Sequence, residues 1–101
     1  MSIKTKYGLK SLSKDIGGLT FGKLLRSHRL AEEYSQKDFA ELLEITQSSL
    51  CDLEKGRKIP TPSRAMSIAR SLGLSERLWI EVALQDQLNE NGIKLKVSLS
   101  A

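Results

Sequence analysis

Gln47, Ser48 and Ser49 follow Thr46 in an uninterrupted polar run. None of the four side chains is charged, and each can both donate and accept hydrogen bonds. Thr46 is a helix N-cap residue, so the three that follow form the first turn of a helix. Such a turn can match donors and acceptors on an outside surface, and its helix dipole favours anions beside it. Asp52 lies one turn on and can only accept. Past Gly56, Arg57 and Lys58 set two cations where phosphates could meet them. Other chemistry finds little support. Cys51 and His28 are the only cysteine and histidine, which leaves no internal disulfide and no thiolate metal cluster. Nothing in the pattern orients them as nucleophile and base, and no glycine loop is built to cradle a nucleotide. An enzyme, a cofactor and a bound metal are therefore not expected.

Two helices have to hold this polar turn. Ser35 caps the first, whose apolar residues Phe39, Ala40, Leu42 and Leu43 fall at helical spacing. Thr46 caps the second, which carries Leu50 and Leu53 on one face and ends before Gly56. Only Glu44 and Ile45 separate the first helix from the second cap, so the two must cross steeply. A helix whose polar N-terminal turn is held outward in this way has the geometry of a helix-turn-helix reader of the DNA major groove.

Further helices complete the support. Thr20 caps one over 21–31, with Phe21, Leu24, Leu25 and His28 on one face. Thr61 caps another over 62–72, with Pro62 at its first position and Ala65, Met66, Ile68, Ala69 and Leu72 turned inward. Ser75 caps a fifth over 76–89. That helix is apolar on two arcs, Leu78, Trp79, Val82 and Ala83 on one and Ile80, Leu84 and Leu88 on the other. The second arc needs a partner chain or a tail to cover it. Residues 93–99 alternate strictly, which predicts a short β-strand that must pair with its copy, with residues 3–9 or with another protein's sheet edge.

At 101 residues the chain is a single small domain with tails. Its net charge of +4 is unevenly spread. Residues 1–20 carry four Lys against one Asp, residues 21–60 balance seven against seven, and residues 61–101 carry five against four. The polar turn thus lies in no blanket polycation, and attraction to phosphate falls to placed residues and the basic N-terminal arm. That arm, residues 1–19 with a Gly17-Gly18 hinge, can reach along a DNA backbone or into a minor groove, or remain a solvated tail. No apolar run approaches a membrane span and no signal-peptide core opens the chain, so the expected place is the cytoplasm.

The residues Phe21-Gly22 with Leu25 and Arg29, Ser35-Gln36 with Phe39-Ala40, Ile45-Thr46-Gln47-Ser48-Ser49-Leu50, Leu53-Glu54-Lys55-Gly56 with Pro60, Ile68-Ala69 and Leu72-Gly73 stand in a familiar order. Together they resemble the lambda-repressor-like helix-turn-helix domains of the Cro/XRE type, over roughly residues 21–74. The resemblance implies an all-α, five-helix lambda-repressor-like fold, with the helix-turn-helix DNA-binding domain at 20–74 and the flexible basic arm before it. Residues 75–101, the last helix and strand, then serve dimerisation or partner binding. It implies base contacts by Gln47, Ser48, Ser49 and Asp52, the last either accepting from cytosine N4 or standing back to tune the field. It implies phosphate contacts by Gln36, Lys37, Thr46, Lys55, Arg57 and Lys58, and a structural ion pair between Arg29 and Glu54. Where the family usually has a glycine of positive φ between the two helices, this chain has Glu44, so the turn is either strained, at a cost of about 1 kcal/mol, or a variant of the usual one. Trp79, Ile80, Leu84, Leu88, Ile93, Leu95, Val97 and Leu99 are the candidates for an interface. The expected function is a dimeric repressor on double-stranded DNA, or alternatively an antitoxin that binds a toxin protein through its C-terminal region and represses its own operon. No membrane partner is expected.

Overall fold

Residues 19–100 are described by a computed structural model. They form α1 (Phe21–Ala31), α2 (Gln36–Leu43), α3 (Gln47–Glu54), α4 (Pro62–Leu72) and α5 (Glu76–Glu90). The expected all-α, five-helix lambda-repressor-like architecture is the one observed. The basic arm, its hinge and the alternation at 3–9 lie outside the described residues.

Every helix starts on a hydroxyl cap. Thr20, Ser35, Thr46, Thr61 and Ser75 each accept the backbone N–H three residues on, at 3.1, 3.0, 3.0, 3.1 and 3.2 Å. Each such bond satisfies an amide the helix cannot, and contributes about 1 kcal/mol. Short helices such as α2 and α3 are marginal alone. Capping sets where they begin, and burial supplies the rest.

The core is one cluster. Phe21, Leu25, Phe39, Leu50, Ala65, Ala69 and Ala83 are essentially closed to solvent, and Trp79 is 2% exposed. Phe21 and Trp79 meet edge to face with ring centroids 5.4 Å apart, a favoured aromatic geometry. Trp79 was expected at an outer interface. It lies in the domain's own core instead, since helical spacing puts it on the same face as Val82 and Ala83, and Phe21 fills the space beside it. Ile80 is half-buried and also packs against this core.

Two backbone details set the position of α3. Glu44 ends α2 with φ 58° and ψ 41°, the left-handed conformation expected where the family has glycine. Gly22 lies where α1 crosses the end of α3, and a Cβ there would stand 2.3 Å from the Leu53 carbonyl oxygen and 2.7 Å from that of Glu54. No side chain fits in that gap, so α1 and α3 touch through their peptide groups.

The C-terminal segment departs from expectation. No β-strand occurs among the described residues. After Gly92 the chain turns back along α5, where the Gln85 amide donates to the Leu95 carbonyl at 2.8 Å and accepts the Val97 N–H at 2.8 Å. Glu81 accepts the Leu99 N–H at 2.8 Å. The alternation shows in burial only at its end, with Val97 and Leu99 half-buried and Lys96 and Ser98 exposed. Its backbone partner is a helix's polar side chains, because a side-chain amide offers the same donor and acceptor as a neighbouring peptide. On the helical wheel this seam runs beside Leu84 and Leu88, both half-buried. Ile93 and Leu95 stay 41% and 68% exposed.

Candidate nucleic-acid interface

The orientation of α3 is fixed from beneath by charge. Arg29 of α1 donates from Nε to Glu54 at 2.7 Å and from Nη2 at 3.0 Å. Its Nη1 donates to the Tyr34 carbonyl at 3.1 Å, and Gln36 of α2 donates to the same Glu54 carboxylate at 3.2 Å. The pair joins α1 to the last residue of α3, with side chains 10% and 2% exposed. The hydrogen bond to Glu54 raises the Arg29 pKa above its ordinary value against the opposing pull of desolvation. Parallel fork-to-carboxylate bonds of this kind fix orientation more than they add net stability.

Above that mount, the outward side of α3 is polar. Gln36, Gln47, Ser48, Cys51, Asp52 and Arg57 line an open concavity of about 410 Å³. Gln47 and Ser48 are exposed, with donors and acceptors free to meet base edges. Ser49 is half-buried and outside this concavity; its Oγ accepts from the Thr46 hydroxyl at 2.9 Å. Thr46 is therefore occupied by its own helix, accepting from one atom of Ser49 and donating to another.

Of the cations expected at phosphate, Arg57 lines the concavity itself. Lys37 and Lys55 are exposed on the ends of α2 and α3. Gly56, at φ 75°, turns the chain so that the Arg57 and Lys58 N–H groups donate to the Asp52 carbonyl at 2.9 and 3.3 Å. Their side chains then reach the Asp52 carboxylate, at 3.4 Å from Arg57 and 3.9 Å from Lys58. Asp52 thus sits inside the polar surface with two cations above it. Gln36, expected at phosphate, is half-buried and engaged with Glu54.

Two supports escaped the sequence reading, both from α5. Gln87 donates to the Pro60 carbonyl at 3.3 Å, holding the loop that follows α3. Asp86 accepts the Phe21 N–H at 2.8 Å, acting as a cap for α1 from 65 residues away. Burial pushes the Asp86 carboxyl above its ordinary pKa, the bond from Phe21 pulls it back, and Glu90 adds to the rise. A signal for Asp86 was present: it follows Trp79, Val82 and Ala83 on the apolar stripe of α5, where a carboxylate requires a partner.

Among the described residues no group of three or more His, Cys, Asp or Glu is arranged to hold a metal ion. No helix there is long and apolar enough to cross a membrane. The family model described as helix-turn-helix, of the Cro/C1 type, matches residues 25–79. Searches of curated proteins and of solved structures gave no match.

Proposed function

The chain belongs to the Cro/C1-type helix-turn-helix family and is a DNA-binding transcription regulator, and from that premise we propose that it is a repressor that binds operators as a two-fold dimer. Its α3 enters the major groove, with Gln47 and Ser48 foremost at the base edges and Ser49 and Asp52 beside them. Lys37, Lys55, Arg57 and Lys58 meet the flanking phosphates, aided by the N-termini of α2 and α3.

The observation that supports this most is the contrast between the two sides of α3. Its underside is committed to Arg29, Gly22 and the core, while Gln47 and Ser48 stand exposed. One such helix reads only a few bases, so two copies on half-sites about 34–36 Å apart give useful specificity. Selection from random duplexes tests the reading: enrichment of an inverted repeat supports it, and recovery of no preferred site overturns it. Mass in solution, with and without residues 92–101, tests whether the C-terminal segment carries the dimer.

The exposed Ile93 and Leu95 favour one second reading, an antitoxin that holds a toxin protein on this segment and represses its own operon. A stable complex with the product of an adjacent small gene would distinguish it. In either reading the chain is no enzyme, needs no cofactor and works in the cytoplasm.

A further inference from the structure

Asp52 carries the wrong sign for a surface that approaches phosphate. It stands on the outward side of α3, in the same concavity as Gln47 and Ser48. Its side chain is 24% exposed, whereas those of Arg57 and Lys58 are 61% and 72% exposed. The carboxylate is therefore the lower layer and the two cations the upper one. The bonds from the Arg57 and Lys58 N–H groups to the Asp52 carbonyl keep all three residues together.

We propose that Asp52 is a specificity gate, a carboxylate that competes with DNA phosphates for Arg57 and Lys58 and so weakens binding to every duplex lacking a donor for it. The proposal rests on α3 being the groove-reading helix. Exposed ion pairs of this length are weak, so phosphates can draw both cations away from Asp52. The carboxylate then stays behind at the interface, close to the DNA and without its partners. Its repulsion acts on any sequence. It is relieved only where a base presents a hydrogen-bond donor in the major groove, and the cytosine N4 amino group is such a donor. A residue of this kind lowers general affinity more than affinity for the right site.

The test compares wild type with Asp52→Asn on a selected operator and on a random duplex, across a range of salt concentrations. Asn is isosteric and uncharged. Random-duplex affinity should rise about fivefold at low salt, the order expected for one charge removed near another. The dependence of log affinity on log salt should steepen by about one on the random duplex. Operator affinity should change less, so the ratio of the two falls. In an Arg57→Ala, Lys58→Ala background the Asp52→Asn gain should shrink, because the cations that Asp52 restrains are gone. Unchanged affinity and slope on random DNA would overturn the gate, as would a loss on both duplexes, which would make Asp52 an anchor for the loop. Failure of the underlying reading looks different: the wild type would show no preference between operator and random DNA, and Gln47→Ala would change nothing.

Discussion

Asp86 and Phe21 join the middle of α5 to the start of α1, through a carboxylate that accepts a backbone N–H at 2.8 Å. Phe21 is the first residue of its helix, so this amide has no partner within α1. Asp86 supplies one where the side chain of Thr20 serves Lys23 instead.

Stability should carry the signature of this carboxylate. Its folded pKa is raised above 3.8, chiefly by burial. Below 3.8 the group is protonated in both states. As pH rises through the raised folded value, the unfolded chain has already lost its proton while the native one retains it, so stability is lost across that window. Asp86→Asn still offers an oxygen to Phe21 and does not titrate. Urea midpoints should therefore favour the variant progressively as pH rises through the window, then level off. Parallel curves for the two proteins would contradict this.

Arg29→Ala should be strongly destabilising. It leaves the Glu54 carboxylate, whose side chain is 2% exposed, without its cation, at a cost on the order of 3–5 kcal/mol. For a small domain that is a large part of the total. Replacing both partners by apolar residues of similar volume should cost much less. Denaturant unfolding of the single and double variants checks the difference.

Glu44→Gly should stabilise the domain. The left-handed backbone at φ 58° costs a non-glycine residue about 1 kcal/mol. Part of that gain is lost to the greater freedom of glycine in the unfolded chain, which leaves a net increase between zero and about 1 kcal/mol. Glu44→Val should move the midpoint the other way. Thermal unfolding of both variants is the measurement.

On DNA, Gln47→Ala and Arg57→Ala should fail differently. The first should lose about 1–3 kcal/mol of discrimination at one position in each half-site. The second should weaken all sequences and reduce the salt slope by about one. Binding to operator variants over a salt series separates them; equal losses on operator and random DNA for Gln47→Ala would remove it from the reading surface.

Much of this arrangement was legible locally. The caps at Thr20, Ser35, Thr46, Thr61 and Ser75 mark the starts of the five helices among the described residues, because a hydroxyl before an apolar repeat acts within three residues. The Arg29–Glu54 pair and the positive φ at Glu44 followed from family resemblance. What could not be read depends on contacts distant in sequence. Trp79 belongs to two possible faces of α5 until the place of Phe21 is known. The alternation at 93–99 demands a partner without naming one, and Gln85 and Glu81 supply part of it through three hydrogen bonds to the backbone of Leu95, Val97 and Leu99. The apolar stripe of α5 shows that Asp86 needs a partner but not which one, and only the fold brings the Phe21 N–H to Asp86 and the Pro60 carbonyl to Gln87.

The bare contact at Gly22 separates two jobs within one short helix. At that crossing α3 meets α1 through the peptide groups of Leu53 and Glu54, beside the Arg29–Glu54 pair and the buried Leu50 and Leu53, while Gln47 and Ser48 stand exposed at the other end of the helix. On the proposed reading, exchanging those two positions should retarget the protein to another operator while the scaffold below remains in place.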